Sequence, residues 1–272
     1  MHPAILRLCL AGQKLSDLNI LVIGDIMGKP GRRILQEILP DLRAEYDIDV
    51  VIGNGENAAH GRGLTFSTME ELLQAGVDVV TSGNHIWDQR EFIPYMDAGY
   101  PVLRPLNYPE GAPGKGYLIF QDVLVVNAMG RHNMPSVDCP FRAMDKLLSG
   151  FTNLPKVVIV DFHAEATSEK VAMGWYLDGR VTAVVGTHTH VPTADAKLLP
   201  KGTAFVTDIG MTGPCHSIIG NDVQAVITRF LTQMPTALPV AEGPASLGAV
   251  LIETGENGRA RKIQRIERRE RE

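Results

Sequence analysis

Five separate apolar runs in this chain each break off at a residue able to ligate a metal ion, and that recurrence constrains the fold more than any other feature. Residues 19–24 are followed by Asp25. Residues 50–52 lead into Gly53-Asn54-Gly55-Glu56-Asn57, and residues 77–81 into Ser82-Gly83-Asn84-His85. Residues 157–160 lead into Asp161-Phe162-His163, and residues 181–185 into Gly186-Thr187-His188-Thr189-His190. Short apolar runs bounded by glycine and polar residues read as buried strands. In open α/β sheets, ligands gather outside the carboxyl ends of the strands. Carboxylates, amides and imidazoles delivered to that edge can converge on one cavity, and the glycines beside them let the backbone turn sharply.

Helical patterns lie between the strands. Ile34, Leu35, Ile38, Leu39 and Leu42 recur at helical spacing behind Pro30 and Gly31. Ser67-Thr68-Met69-Glu70 reads as a capping-box start for a helix that stops near Gly76. Residues 117–120 and 123–127 straddle Gln121-Asp122 as a hairpin, and residues 204–207 are a further β-rich run. A βαβ opening followed by more strands predicts an α/β layered domain with mixed sheets. No linker or repeat divides it. One domain is expected over residues 18–267, with an N-terminal extension at residues 1–17 and a charged tail at residues 268–272. The apolar stretch at residues 3–10 is short and lacks a small-residue cleavage site. A frayed or partly helical extension is therefore a plainer reading than a secretory signal. Residues 254–258 read as a turn into an edge strand at residues 262–266. Residues 259–272 hold seven basic and three acidic side chains, expected to solvate the chain end and blunt the sheet edge. An RNA-contacting tail is the sharper alternative.

Composition narrows the class. With 272 residues, 44% of them hydrophobic and 21% charged, the chain can bury a full core. A formal net charge of −5 argues against a generally basic nucleic-acid binder and gives no reason to expect an anionic membrane surface. No run reaches the ~18 apolar residues a bilayer span needs, so no membrane partner is expected. Cys9, Cys139 and Cys215 form no CxxC pair, which disfavours a thiolate zinc site and fits a reducing cytoplasm. Neither a Gly-x-Ser-x-Gly elbow nor a phosphate-binding Gly-x-x-x-x-Gly-Lys loop is present.

The donor set is chemically coherent. His188 and His190, two apart in an extended segment, can face the same side. Glu56 has two oxygens and can bridge two cations. Imidazole and carboxylate mixtures suit iron, manganese or zinc, and two ions ~3.5–4 Å apart form the usual clamp for in-line displacement at phosphorus. Each residue also has a plainer reading. Asp25 could cap a helix, Asn54 and Asn57 could be turn residues, and His60, His132 and His216 read as surface or core. Taken together, the five placements are hard to explain as turns and caps.

Those strings resemble the calcineurin-like metallophosphoesterases, and most closely their YmdB-type branch. The superfamily pattern of Asp-x-His, Gly-Asp, Gly-Asn-His, a solitary His and Gly-His-x-His is met by Gly24-Asp25-Ile26-Met27, Gly55-Glu56-Asn57, Gly83-Asn84-His85, Asp161-Phe162-His163 and Gly186-Thr187-His188-Thr189-His190. The branch-specific strings are longer. They are Asn54-Gly55-Glu56-Asn57-Ala58-Ala59-His60-Gly61, Asp161-Phe162-His163-Ala164-Glu165-Ala166-Thr167-Ser168-Glu169-Lys170, and Asp208-Ile209-Gly210-Met211-Thr212-Gly213-Pro214. Two positions depart from the general pattern: Met27 stands where a ligand His is usual, and Glu56 replaces the usual bridging Asp. The YmdB-type branch is similar at both.

The resemblance implies a four-layer αββα sandwich of mixed sheets. It implies that Asp25, Glu56, Asn57 and His190 hold one metal ion and that Glu56, Asn84, His163 and His188 hold a second. Iron is the favoured metal and manganese the next. His85, left free of metal, is implied as the general acid, with metal-activated water as the nucleophile. The implied activity is a phosphodiesterase for 2′,3′-cyclic nucleotides, with other cyclic nucleotides or RNA ends as further substrates; a homo-oligomer stays open. Arg62, Lys115, Arg131 and Arg180 lie in stretches that could reach a phosphate, although solvent exposure is the plainer fate of each. Trp87, Trp175 and Tyr176 are candidates to clamp a base, with core packing the plainer reading. Two other functions compete: a binuclear amidohydrolase, and a non-enzymatic, metal-stabilised regulatory or RNA-associated binding protein.

Overall fold

The computed structural model describes residues 17–270. The N-terminal extension, apart from Asp17, and the last two residues of the tail lie outside the described residues.

The chain opens with β1 (Asn19–Ile23), a two-residue β2 (Asp25–Ile26) and helix α1 (Gly28–Glu45). Next come β3 (Val50–Asn54), α2 (Phe66–Ala75) and β4 (Val79–Thr81). A hairpin of β5 (Tyr117–Phe120) and β6 (Val123–Met129) turns on Gln121 and Asp122, both at positive φ. This suits a two-residue turn whose twist matches the strands. Then follow α3 (Pro140–Ser149), β7 (Val157–His163), α4 (Thr167–Leu177) and β8 (Ala183–Thr187). The chain continues through β9 (Lys197–Leu198), β10 (Ala204–Val206), β11 (Met211–Pro214) and α5 (Val223–Thr232). It closes with the antiparallel pair β12 (Ala245–Thr254) and β13 (Ala260–Arg269).

Two mixed sheets result. The first runs β2-β11-β12-β1-β3-β4, with β13 on the free side of β12; β1, β3 and β4 are parallel to one another. The second runs β5-β6-β7-β8-β10-β9, with β6, β7, β8 and β10 parallel. Period-two alternation of buried side chains makes the layers. Leu21, Ile23, Val51 and Leu251 pack against Ile34, Leu35, Leu39, Met69 and Leu72 of α1 and α2. Their neighbours Ile20, Val22, Val50 and Ile52 face the second sheet and meet Val123, Val125, Ile159 and Val185. From the far side of that sheet, Leu124, Val126, Val158 and Val184 pack against Met144, Met173 and Leu177 of α3 and α4. Strands apolar on both faces require cover on both faces, and the fold is the αββα sandwich of mixed sheets that the resemblance implies.

Local departures have local causes. The cap of α2 is Thr65, two residues before the expected start: its side chain accepts from the Thr68 backbone, while the Thr68 hydroxyl accepts from the Thr65 backbone. Gly76 ends that helix at φ 108. Asp25 caps no helix. It pairs with Met211 in a short parallel ladder, and α1 begins behind Met27 without a side-chain cap. The β7 strand runs through His163 because its ladder with β6 continues to Met129. At the C-terminal end, β13 extends to Arg269, into the segment read as a tail. Its charges are largely paired: Arg261 with Asp17, Lys262 with Glu253 and Arg268 with Glu45. No helix among the described residues is long and apolar enough to cross a membrane.

Candidate metal centre

The carboxyl ends of β1, β3 and β4 from one sheet and of β7 and β8 from the other deliver their residues to one place. Asp25, Glu56 and His163 are essentially inaccessible to solvent, and Asn57 is 3% exposed. Gly83 makes the approach possible, since a Cβ there would collide with the His163 ring and a Glu56 oxygen.

The three imidazoles share one arrangement. The Thr187 hydroxyl donates to Asp161 Oδ1 at 2.7 Å, because a carboxylate only accepts. Its one hydrogen is thereby committed, so it accepts from His163 Nδ1–H at 2.9 Å. The Nε2 lone pair of His163 is left facing Glu56 Oε1 (3.1 Å), Asn84 Oδ1 (3.1 Å) and His188 Nδ1 (3.0 Å). On His188, Nε2 meets Glu165 Oε2 at 3.1 Å, which turns the Nδ1 lone pair inward. On His190, Nδ1 donates to the Ile219 carbonyl at 2.9 Å, so Nε2 faces Asn57 and, at 3.8 Å, Asp25 Oδ1. An acceptor on the far nitrogen is the usual device for orienting a metal-binding imidazole.

What converges is therefore a set of acceptors with too few donors. Ligand atoms about 2.1 Å from one ion and at right angles lie about 3.0 Å apart, which matches the separations around His163 Nε2. Glu56, His163 and His188 each offer an atom within 4.8 Å of the others, a group able to hold a metal ion. Asp25 Oδ1 is buried without a hydrogen-bond partner, while Oδ2 accepts from the His188 backbone at 3.0 Å. Asn57 is the exception among these residues. It turns its amide nitrogen toward His190 Nε2 (3.1 Å) and Glu56 Oε1 (3.3 Å). A half-turn of the terminal amide would present its oxygen there instead. The donor chemistry otherwise fits a metal cation held by Glu56, His163 and His188.

Without such ions, protons redistribute within the cluster. Burial raises Asp25 to about 6 despite the nearby His190 and His163. Burial also works against ionised Glu56, but His163 outweighs it and holds the carboxyl at about 2. For His163, burial opposes charging, yet Glu56, Asp25 and Asp161 lift the ring to about 9. Burial, then the adjacent His163, depress His188 to about 3. In the metal-free protein a proton on His163 supplies the positive charge the cluster lacks.

His85 stands beside this cluster. Its backbone donates to Glu56 Oε2 at 3.1 Å, while its Nδ1 is held by Asp88 Oδ2 at 3.0 Å. The ring lines a cleft of about 740 Å³ with Met27, Arg62, Glu165, His190 and Arg229. That volume lies in the range of small-molecule sites. Of the cationic candidates only Arg62 lines this cleft; Arg131 borders a separate shallow hollow, and Arg180 pairs with Asp145. None of the aromatic candidates lines it. Trp87 packs on Tyr108, Tyr176 packs on Phe141, and Trp175 is 55% exposed rather than in the core. Glu165, Asp88, Thr187 and the Ile219 carbonyl were not singled out from the sequence. Glu165 sits inside a quoted string; the Ile219 carbonyl carries no sequence signal at all.

Comparison with known proteins agrees with this architecture. Over 254 residues the chain is 47% identical to the 2′,3′-cyclic-nucleotide 2′-phosphodiesterase of Bacillus subtilis (strain 168), covering 92% of this chain and 96% of that protein. A crystal structure of a hypothetical protein from Thermus thermophilus matches with a TM-score of 0.88 at 48% identity, covering 93% of this chain and 100% of the other. The crystal structure of a novel phosphatase from Mycoplasma pneumoniae matches with a TM-score of 0.88 at 35% identity, covering 93% and 94%. The family model described as YmdB-like protein matches residues 21–266, which takes in all of the second sheet, most of the first and every residue of the cluster, and the chain belongs to that family.

Proposed function

We propose that this chain is a dinuclear metal-dependent phosphodiesterase that hydrolyses 2′,3′-cyclic nucleotides. Its place among phosphoesterases rests on the family and on the Bacillus subtilis relative. The dinuclear reading rests on one observation: acceptor atoms of Glu56, Asn84, His163 and His188 meet about one coordination edge apart, with the partnerless Asp25 Oδ1 beside them. Asp25, Glu56, Asn57 and His190 are assigned to one ion. Glu56, Asn84, His163 and His188 are assigned to the other. Iron is the favoured metal and manganese the second. When bound, the pair would supply Lewis-acid charge at the phosphoryl oxygens and an activated water.

The remaining chemistry belongs to the chain. Glu56 would serve both ions, and its Oε2 is fixed by the His85 backbone N–H. His85 is outside the ligand set, and Asp88 on Nδ1 orients the ring and leaves Nε2 to protonate the leaving ribose oxygen. Met27 and Ile219 give the cleft apolar wall, and Arg62 and Arg229 give it positive charge suited to an anionic nucleotide. The thiols Cys139 and Cys215 are free, in keeping with the cytoplasmic location inferred here.

Elemental analysis of the purified protein, paired with hydrolysis of a panel of 2′,3′-cyclic and 3′,5′-cyclic nucleotides and a peptide control, tests the reading. About two equivalents of metal and turnover of the 2′,3′-cyclic compounds are expected. Two equivalents of metal with no phosphodiester turnover would reject the enzymatic assignment.

A further inference from the structure

The backbone that carries His188 and His190 is unusual. His188 lies at φ 101 and His190 at φ 64, a region disfavoured for a side chain with a Cβ. Such conformations persist only where the surroundings over-determine them. The Asp25 carboxylate holds the His188 N–H. Between the two histidines the holding group is Asp208. Its Oδ2 accepts from the Thr189 backbone at 3.1 Å and from the Thr189 hydroxyl at 2.8 Å. Its Oδ1 accepts from Gly210 N–H at 2.8 Å.

Asp208 is itself 1% exposed and needs a counter-charge, because a buried carboxylate without one is strongly disfavoured. That charge is Lys170, also 1% exposed, whose Nζ donates to Asp208 Oδ2 at 2.6 Å. Lys170 reaches it from α4 along Gly186: a Cβ on Gly186 would press on the lysine stem at 3.1 Å and collide with the Thr207 carbonyl. Lys170 closes one of the long family strings and Asp208 opens another, yet neither belongs to the proposed ligand set or the acid.

We propose that Lys170 and Asp208 form a buried positioning pair, with Asp208 clamping Thr189 so that His188 and His190 are presented to different ions, and Lys170 holding the clamp. Removing the lysine charge would leave an unpaired buried carboxylate beside the loop, and removing the carboxylate would release Thr189. Either change would loosen both histidines while leaving all seven proposed ligands in the chain. The inference rests on the metal reading of His188 and His190.

The test is Mn²⁺ titration calorimetry on metal-stripped wild type, Lys170→Met, Lys170→Arg, Asp208→Asn and Thr189→Val. It is accompanied by electron paramagnetic resonance of the Mn²⁺-loaded proteins and by thermal unfolding of the metal-free ones. A change to an outer hydrogen-bond partner of a metal ligand typically costs 10–100-fold in affinity. Lys170→Met and Asp208→Asn are expected to bind Mn²⁺ at least about tenfold more weakly and to lose the spin-coupled two-ion signal. Lys170→Arg, which retains the charge, is expected to recover most of the affinity. Native affinity and a native coupled signal in folded Lys170→Met or Asp208→Asn would overturn the pair. Should those two fail to fold, Thr189→Val decides, since it removes one donor to Asp208 and leaves the ion pair. Weakened Mn²⁺ binding in it supports the clamp; native binding overturns it. A wild type that binds no Mn²⁺ would instead fail the metal reading itself.

Discussion

His163 Nε2 and His188 Nδ1 lie 3.0 Å apart, and the far nitrogen of each ring is tied to its own acceptor, Thr187 for one and Glu165 for the other. Two lone pairs cannot rest that close together without a positive charge between them. In the metal-free protein the charge is a proton on His163, which Glu56, Asp25 and Asp161 lift to about 9, while burial and then that charged ring hold His188 at about 3. A metal ion held as proposed would compete with that proton for one position.

The competition has a calorimetric signature. Loading the metal-stripped protein at pH 7 is expected to release close to one proton from His163, because the ligand must be deprotonated. Apparent affinity should rise by up to about tenfold per pH unit between pH 7 and 9 and flatten above that. Titrations in buffers of different ionisation enthalpy count the proton. Uptake of protons, or affinity independent of pH in this window, would contradict the competition.

The same shift makes the metal-free fold pH-sensitive. The folded pKa of His163, about 9, lies above its ordinary 6.5. Its contribution is fully present below pH 6.5 and lost as pH rises through about 9. For this wholly buried ring the ceiling is about 3 kcal/mol. His188 and Asp25 have finished titrating below this window, with folded values of about 3 and about 6. The metal-free melting temperature should thus fall between pH 7 and 9.5, and His163→Asn should flatten the slope. A steep slope surviving in His163→Asn would assign it to another group.

His85 separates chemistry from metal binding. Its ring is held by Asp88 and is not among the atoms that converge on Glu56 and His163. His85→Ala is expected to retain the wild-type metal content while kcat falls by about 10²–10⁴, the range for a lost general acid. Asp88→Asn should cost less, since it disturbs only the orientation of the ring. Full activity in His85→Ala would remove the acid role.

Much of this arrangement was legible in the sequence because its signals are local. An apolar run ending in glycine and a polar residue marks a strand end, and both sheets bring such ends to one edge, so position alone allowed Asp25, Glu56, Asn57, Asn84, His163, His188 and His190 to converge, while their sorting into ligand sets came from the family resemblance. The supports of that cluster were not legible in this way. Glu165 on His188, the Ile219 carbonyl on His190 and Asp208 on Thr189 span 23, 29 and 19 residues or depend on a backbone atom with no side-chain identity. Thr65 was missed as the cap of α2 because Ser67 offered an equally good local pattern, and only the hydroxyl geometry distinguishes them.

Thr187 tests whether a hydrogen bond on the far side of the His163 ring decides the chemistry of the cluster. Thr81, Thr187 and Asn54 all donate to Asp161, so the carboxylate is filled on both oxygens. With its hydrogen given to Asp161, Thr187 accepts from His163 Nδ1–H, so that the neutral ring carries its proton on Nδ1 and leaves Nε2 free toward Glu56. Thr187→Val keeps the shape of the side chain but deprives His163 Nδ1–H of its acceptor and Asp161 of one donor. The ring can then place its proton on either nitrogen, and the orientation that faces Glu56 is no longer enforced. Metal affinity is expected to fall about 10–100-fold, with Thr187→Ser recovering most of it because the hydroxyl returns. Nitrogen NMR of the His163 ring in the metal-free protein above pH 9 gives an independent reading: one tautomer in the wild type, a mixture in Thr187→Val. A single unchanged tautomer in that variant would mean that His163 is oriented by packing alone.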